Sequence, residues 1–415
     1  MAEISKGPHI GVLSSHFPNS AYPAIGLSVR ERMFRVARRL PLFVVSPTPY
    51  IPLVDSFRRG MEGELPSKPI VPEYEEQQGI PVWFPPYATV PGPQILRLID
   101  GWSMSLGAYP RFAALRRAGR LDLIDAHGAY PDGYAGVLLG RKLGVPVTIT
   151  LHGSELVCAR DPQRVKKLRE AFSGAARVFA VCDALRQFAI ELGVTDDRVE
   201  VIGNGIDAEL FHPHDRTAER AALDISPFVP VMVSVGHLSE EKGHQRVIDA
   251  LPSLTEQWPG LVYLIIDSGN PARKGYSELE KQIARMKLEP SVRFFYGVTP
   301  QKLSALLSAA DIFVHVARLE GPVNVLLEAM ACGLPVLATD AGVNREVVCR
   351  PELGELIPHG EQRTLEAALK RILSATWDRT AIRRYAETHH WDARVDRLCR
   401  AFAETRDRAS AARSL

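Results

Sequence analysis

The sequence predicts an α/β protein of two doubly wound domains, each a parallel β-sheet with helices on both faces. The first observation is length, because 415 residues exceed what one ordinary hydrophobic core supports. The second is the alternation of short apolar runs with helix-length segments in both halves of the chain. The third is the run from Ala310 to Val348. It contains a strand (Ile312 to Val316), a helix through Met330 and a strand (Val336 to Ala338), which together form one βαβ unit.

The first half opens as one end of such a domain. Its predicted elements are a strand from His9 to Leu13, a loop up to Gly26, a helix from Ser28 to Leu40 and a strand from Leu42 to Val45. No GxGxxG follows the first strand, which disfavours a dinucleotide site there. Between Pro47 and Pro93 many prolines surround one strand-like run, Ile80 to Phe84. This composition predicts a long loop with a short strand, which we expect to shape a substrate pocket.

Histidines follow two strands of the first half. The strand from Leu121 ends in His127, and the strand from Val145 to Leu151 is followed by His152. Parallel strands end at the same edge of a sheet, so both histidines are expected to border one cleft. Imidazole can carry a proton near neutral pH, which makes each a functional candidate, while a purely structural role is the alternative.

One loop of the second half has the composition of a diphosphate site. Gly236 follows the apolar strand Val231 to Val235, and Lys242 and Gly243 precede the next helix. Backbone N–H groups together with a lysine charge can hold a diphosphate, and the alternative is a solvated loop lysine. A boundary between the halves is expected near Ile206 to Ser226.

A second loop lies within the βαβ unit of the second half. The N–H groups from Gly321 to Asn324 are the donors of a predicted helix N-terminus, which can receive a phosphate or a sugar hydroxyl. Glu320 precedes this helix and Glu328 lies within it, so both can border the same crevice. The alternative is an ordinary βαβ unit with two surface glutamates.

Composition and charge exclude several classes of protein. The chain is 46% hydrophobic and 24% charged with net charge +2, and no apolar run reaches the roughly 18 residues of a membrane-spanning helix. The opening MAEISKG has no signal-peptide pattern, so we expect a cytoplasmic protein. Five cysteines without CxxC spacing argue against a disulfide framework or a zinc site. No nucleic-acid motif is present.

Basic residues are concentrated in the predicted first helix. It carries Arg30, Arg32, Arg35, Arg38 and Arg39 between apolar residues. Such a helix suits an anionic membrane surface, so the inner face of the membrane is a second candidate location. The alternative is a solvated charged face over a core-facing stripe.

The frame EGPVNVLLEAMACGLPV, with seven residues between two glutamates, resembles the donor-site signature of retaining glycosyltransferases of the GT-B architecture, family 4 (glycosyl transferase group 1). The segments VIGNGID and HHWDARVDRLCRAF resemble the interdomain segment and last helix of that family. The resemblance implies two Rossmann-like domains facing a cleft. These would be an acceptor-binding domain over residues 1–206 and a donor-binding domain over 207–390, with a helix from about 391 to 410 packing back on the first domain.

The resemblance also implies roles for particular residues. The implied donor-binding residues are Gly236, His237, Lys242, Gly297, Gly321, Pro322, Val323, Asn324 and Glu328, with Gly297 near the nucleobase and Glu328 at the ribose. The implied catalytic residues are His127, Glu320 and Lys242, and the implied acceptor-binding residues are Gly26, His152 and Ser154. His237 replaces the usual arginine of the family, and a neutral imidazole offers one donor where arginine offers a charged fork.

The predicted activity is transfer of a sugar, with retention, from UDP-sugar or GDP-sugar to a carbohydrate or lipid-linked acceptor in surface polysaccharide or glycolipid biosynthesis. The chain contains no DxD pair, which favours a metal-independent reaction, and no cofactor is expected beyond the nucleotide-sugar substrate. One alternative is a nucleotide-sugar isomerase or hydrolase on the same fold. Another is a non-catalytic sugar-nucleotide-binding subunit, which the replacement at His237 favours.

Overall fold

The chain divides into two compact units, residues 1–204 with 392–415, and residues 205–391. The computed structural model describes residues 7–23, 25–51, 70–90, 98–267, 274–318 and 324–414. Each unit contains its own large β-sheet, so each is organised around a core of its own. In the described ranges, no helix is both long enough and apolar enough to cross a membrane.

The described residues of the first unit form ten strands. They are β1 (Ile10–Leu13), β2 (Leu42–Val45), β3 (Thr48–Tyr50), β4 (Tyr74–Gln77), β5 (Ile80–Trp83), β6 (Pro86–Ala88), β7 (Leu123–His127), β8 (Val147–Leu151), β9 (Arg177–Ala180) and β10 (Val199–Val201). Eight of them form one sheet in the order β10-β9-β8-β7-β1-β2-β5-β4, and β3 pairs with β6. All neighbours in the large sheet are parallel except β4 and β5, which form an antiparallel pair at its edge.

Helices connect these strands as in a doubly wound fold. They are α1 (Leu27–Ala37), α2 (Asp100–Arg117), α3 (Tyr134–Leu143), α4 (Ser154–Cys158), α5 (Pro162–Gly174) and α6 (Asp183–Glu191). The start of α5 shows why the sequence forms a helix there: the Asp161 carboxylate accepts from the Gln163 N–H at 2.9 Å, and Pro162 occupies the first turn. Every residue of β7 and β8 is buried, as expected for central parallel strands.

In the second unit, the part of the chain that the structure describes contains one six-stranded parallel sheet. Its strands are β11 (Val231–Val235), β12 (Val262–Asp267), β13 (Val292–Tyr296), β14 (Ile312–His315), β15 (Val336–Thr339) and β16 (Gly354–Ile357), in the order β13-β12-β11-β14-β15-β16. Its helices are α7 (Arg216–Ala222), α8 (His244–Gln257), α9 (Lys274–Met286), α10 (Pro300–Ala309), α11 (Asn324–Ala331), α12 (Asn344–Val347), α13 (Gln362–Ser374) and α14 (Arg379–Glu387). Apolar clusters cover both faces of the sheet.

The last helix, α15 (Trp391–Ser414), belongs to the first unit from Asp392 onward. Phe402 packs edge-on against Phe179 of β9, with ring centroids 5.7 Å apart. Glu404 accepts from Arg177 at 2.9 Å. The carboxyl-terminal segment is therefore part of the first unit's core rather than a tail.

The predicted α/β class with two parallel-sheet halves is confirmed, but several short strands were missed. The region from Pro47 to Pro93 was predicted as a loop with one strand, yet its described residues contain β3, β4, β5 and β6. The strand β4, with sequence YEEQ, is a polar edge strand, and β3 and β6 are three-residue strands that contain proline. None of them has the apolar alternation that marks a strand in a sequence.

The arginines of α1 are less available than the sequence suggests. Arg32 is buried, and its Nη1 donates to the Ile202 carbonyl oxygen at 2.9 Å. Arg35 pairs with Glu31 one turn earlier, and Arg39 pairs with Asp396 of α15. Much of this charge is therefore used within the first unit, and attraction to a membrane surface stays a prediction.

A buried arginine connects the backbone segments that precede two strands of the second unit, β11 and β14. Arg220, 2% exposed, donates from Nε to the Ala309 carbonyl at 2.8 Å and from Nη2 to Asp311 Oδ2 at 2.6 Å. Its Nη1 donates to the carbonyls of Pro227 and Val229 at 2.9 and 3.1 Å. One guanidinium thus satisfies three backbone carbonyls that precede β11 and β14.

Replacing this residue, Arg220→Met, is expected to lower the free energy of unfolding of the second unit by about 3 kcal/mol, because it leaves buried acceptors without donors. Arg216→Met is the matched control, since Arg216 contacts the same aspartate at 2.6 Å from an exposed position and should cost about 1 kcal/mol or less. Urea unfolding followed by tryptophan fluorescence measures both. Equal losses in the two variants would contradict this account.

Candidate active site

The loop from Gly236 to Gly243 lies at the carboxyl edge of the second unit's sheet, between β11 and α8. At Gly243 the backbone has φ +78°, and a β-carbon would lie 2.5 Å from the Val316 carbonyl oxygen. Only glycine fits this close approach without moving the segment after β14. A β-carbon on Gly236 would lie 3.5 Å from Lys242 Cδ, so the lysine side chain runs beside that glycine. The two ends of the predicted diphosphate loop are neighbours in space.

Two contacts attach this loop to adjacent strand ends. The Arg318 N–H donates to the Glu241 carbonyl oxygen at 2.8 Å and joins the loop to the segment after β14. Nδ1 of His237, which is 55% exposed, lies 3.7 Å from Oδ1 of buried Asp267 at the end of β12. Because β11 lies between β12 and β14, three strand ends contribute to one edge.

The other predicted donor-binding residues that the structure describes lie at the same edge of the sheet. Asn324 and Glu328 are half-buried residues of α11, which follows β14, and their spacing of four places them on one helix face. Gly297 is exposed, has φ +56° and directly follows β13. The predicted residues Glu320, Gly321, Pro322 and Val323 lie outside the described residues.

A buried histidine that the sequence analysis missed packs beneath the loop from Gly236 to Gly243. His244, 3% exposed, is the first residue of α8. Its Nδ1 lies 3.3 Å from the Tyr263 hydroxyl, which donates to Ser234 Oγ at 2.8 Å. Ser234 in turn donates to the Val314 carbonyl oxygen at 2.6 Å. This chain of polar contacts ties the start of α8 to β12, β11 and β14.

The electrostatic environment keeps His244 neutral. Burial, followed by the neighbouring His315 and Lys242, lowers its pKa to about 4. A neutral imidazole here avoids a buried positive charge next to the half-buried lysine. The only local sign of this role in the sequence is that a histidine directly follows the glycine that ends the loop.

At the carboxyl edge of the first unit, the two predicted histidines are in contact. His127 Nδ1 lies 2.8 Å from His152 Nε2, and the rings stack with centroids 5.1 Å apart. His127 is 5% exposed, whereas His152 is half-buried. Burial, followed by the nearby His127, Arg32 and His16, holds the pKa of His152 well below its usual value. Adjacent parallel strands therefore place a neutral imidazole at this edge.

Gly26 and Ser154, the other predicted acceptor residues, precede or begin helices of the first unit. Gly26 has φ +69°, and a β-carbon there would lie 2.0 Å from the His16 carbonyl oxygen. It lets α1 start directly against the loop after β1. Ser154 is exposed and begins α4 just after His152. No hydrogen bond connects Gly26 and Ser154 within the described part of the chain.

Two buried carboxylates, also missed by sequence reasoning, connect the loops at this edge. Asp132 accepts from the Ser15 hydroxyl at 3.0 Å and from the Ser15 N–H. Glu155 accepts from the Gly153 N–H at 2.7 Å and the Ala129 N–H at 3.2 Å. Burial raises the pKa of both carboxyl groups. The loops after β1, β7 and β8 are thereby fixed before any ligand binds.

The described residues contain no group of three histidine, cysteine, aspartate or glutamate side chains arranged to hold a metal ion. Their five cysteines are all free thiols. Burial raises the pKa of Cys332 to about 12, so that thiol is an apolar core residue in practice.

Two parallel-sheet units, with a lysine-bearing loop between two glycines at one sheet edge, are the arrangement expected of a GT-B-type protein. The family model "Glycosyl transferases group 1" matches residues 215–389, and "Glycosyltransferase Family 4" matches residues 67–210. The chain belongs to the group 1, family 4 glycosyltransferases, and it is a glycosyltransferase.

Individual relatives agree with this assignment. A D-inositol 3-phosphate glycosyltransferase of Jonesia denitrificans is 29% identical over 72% of this chain and 76% of the relative. A putative teichuronic acid biosynthesis glycosyltransferase, TuaC, of Bacillus subtilis is 28% identical over 80% of each chain.

Solved structures show the same fold. Sucrose-phosphate synthase of Thermosynechococcus elongatus superimposes with a TM-score of 0.73 at 19% identity, over 95% of this chain and 98% of that one. HepE of Anabaena, in complex with UDP, gives a TM-score of 0.70 at 20% identity, over 95% and 99%. The predicted GT-B fold is confirmed.

The buried neutral state of His244 predicts acid sensitivity. Its folded pKa lies below the unfolded value of about 6.5, so stability falls as the pH drops from about 6.5 towards 4. Between pH 7 and pH 4.5 wild type should lose about 2 kcal/mol more than His244→Gln, which cannot titrate. Urea titrations at the two pH values measure this difference.

His212→Gln is the control for that experiment, because His212 is half-buried and lies outside the polar chain under the loop. It should show the wild-type loss between the two pH values. If His244→Gln and wild type lose the same stability on acidification, His244 is not held neutral by its surroundings.

Proposed function

We propose that this glycosyltransferase transfers a sugar, with retention and without a metal ion, from a UDP-sugar or GDP-sugar to a carbohydrate or lipid-linked acceptor. The observation that carries the proposal is the loop from Gly236 to Gly243, in which Lys242 lies beside the first glycine at the carboxyl edge of a parallel sheet. Such a loop offers backbone donors and one positive charge to a diphosphate. We infer a place in surface polysaccharide or glycolipid biosynthesis.

In this proposal each part of the donor edge has one task. Lys242 and the N–H groups from Gly321 to Asn324 stabilise the negative charge that builds up on the leaving diphosphate. Glu328, at the second turn of α11, accepts hydrogen bonds from the ribose hydroxyls. Glu320 lies beside the donor sugar, and Gly297 allows the backbone after β13 to approach the nucleobase.

His237 modifies this scheme. Its imidazole offers one donor to the diphosphate where the family's usual arginine offers a charged fork. The Asp267 carboxylate, 3.7 Å from this imidazole, can orient the ring. We infer that diphosphate binding here depends more on Lys242 than in relatives with the arginine.

On the acceptor side, we propose that Gly26, His152 and Ser154 border the acceptor and that His127 belongs to the reaction centre. In the transfer, the bond from the anomeric carbon to the phosphate oxygen breaks and a bond to the acceptor oxygen forms. The proton of the acceptor hydroxyl passes to the departing diphosphate.

The relatives suggest which ligands to test. HepE has been solved with UDP and with UDP-glucose, which makes UDP the first donor nucleotide to examine. The Jonesia relative is named for D-inositol 3-phosphate, and TuaC for teichuronic acid biosynthesis. D-inositol 3-phosphate and simple hexoses therefore form a first panel of acceptors.

Calorimetry with UDP, GDP and ADP tests the donor site. We expect one nucleotide, UDP, to bind selectively, and Glu328→Ala to weaken it about tenfold or more, because a charged hydrogen-bond acceptor for the ribose is lost. Glu352→Ala, at an exposed position in the same unit, is the matched control and should bind as wild type does.

Two outcomes would overturn this assignment. Binding of no nucleotide by the wild type would remove the donor site. Equal affinity in Glu328→Ala and wild type would show that this glutamate does not contact the ribose.

A further inference from the structure

A buried aspartate lies behind the histidine pair of the first unit. Asp125 is two residues before His127 on β7, so both side chains lie on the same face of the sheet. Oδ1 of Asp125 accepts from the Thr148 hydroxyl at 2.7 Å and from the Thr150 hydroxyl at 3.3 Å, both on β8. Its Oδ2 lies 3.1 Å from His127 Nε2. Asp125 is fully buried, and no part of the predicted site accounts for it.

These contacts decide which nitrogens carry hydrogen. The two atoms are not aligned as a hydrogen bond, but a carboxylate oxygen 3.1 Å from Nε2 attracts a hydrogen there and repels a lone pair, so Nε2 of the neutral imidazole carries the hydrogen. His127 Nδ1 is then an acceptor, and the hydrogen in the 2.8 Å contact belongs to His152 Nε2. His152 Nδ1 is left as a lone pair, and no hydrogen-bond partner for it occurs among the described residues.

The two imidazoles differ in their exposure to solvent. His127 is buried between Asp125 and His152, whereas His152 reaches the surface of the unit. The charged and titratable groups that face His152 are His127, Arg32, His16 and, at its backbone N–H, Glu155. None of these side chains donates a hydrogen bond to the lone pair of Nδ1 among the described residues. The nitrogen available to a ligand is therefore one with a fixed lone pair.

We propose that Asp125 is a positioning residue that acts through His127 to fix the tautomer of His152, whose Nδ1 accepts a hydrogen bond from the attacking hydroxyl of the acceptor. This inference rests on the proposed function and refines it. His152, not His127, touches the substrate, and it orients the hydroxyl whose proton leaves with the diphosphate. Asp125, His127 and His152 form one relay, which we call the histidine relay.

The test is Asp125→Asn in the full chain, followed by NMR of ring-labelled histidine. An amide N–H₂ facing His127 Nε2 would turn that nitrogen into an acceptor and reverse both tautomers. We expect hydrogen on Nε2 of His127 and His152 in wild type, and on Nδ1 of both in the variant. His127→Gln and His152→Gln assign the signals, and Asp122→Asn is the matched control.

Asp122 is a suitable control because it also contacts a histidine, with Oδ2 3.1 Å from His9 Nδ1, but lies outside the histidine relay. Asp122→Asn should leave the tautomers of His127 and His152 unchanged. Hydrogen on Nδ1 of His152 in the wild type would by itself overturn the proposal. The test therefore does not depend on whether Asp125→Asn folds.

Turnover separates this proposal from the assignment of the function. Asp125→Asn should lower kcat about 100-fold while the affinity for the nucleotide stays at the wild-type value. Switched tautomers with unchanged kcat would overturn the role in orienting the acceptor. If wild type transfers no sugar, the proposed function fails, yet the NMR experiment still decides whether Asp125 sets the tautomers.

Discussion

The close approach of Gly243 to the Val316 carbonyl is the constraint on which the proposed donor edge depends. It brings the loop after β11 against the segment after β14, and the Arg318–Glu241 backbone bond repeats that contact. The same loop places Lys242 beside Gly236. A diphosphate needs backbone donors and a cation within a few ångströms of each other, and parallel strands supply this arrangement only where their loops meet. Burial of neutral His244 beneath the loop stabilises the arrangement without adding charge.

In the first unit, buried carboxylates hold the loops at the carboxyl edge of the sheet. Glu155 and Asp132 hold the loops after β1, β7 and β8 in place, and Asp125 lies below them within the sheet. Each carboxylate accepts hydrogen bonds from backbone N–H groups or hydroxyls, which lowers the cost of burying it. A proposed acceptor edge that is fixed in this way would lose little further entropy on binding a ligand.

Residues at strand ends could be located from the sequence, whereas the partners of buried polar residues could not. His127 and His152 were predicted to share a cleft because parallel strands end at one edge, and they are 2.8 Å apart. Asp125 was overlooked because LIDAH has the apolar look of a buried strand, and only the register of β7 with β8 shows that Thr148 and Thr150 face it. Arg32 seemed part of a basic surface, whereas it caps backbone carbonyls near Ile202, far away in sequence. Long-range pairing of this kind leaves no local pattern.

Transfer itself is the most direct test of this account. UDP-sugars are incubated with and without the acceptor panel, and proton NMR follows UDP release and the anomeric proton of the product. The account predicts UDP release that depends on an acceptor, with a product of the donor's anomeric configuration. UDP release that is equally fast without any acceptor would indicate a hydrolase, and a product of opposite configuration would contradict retention.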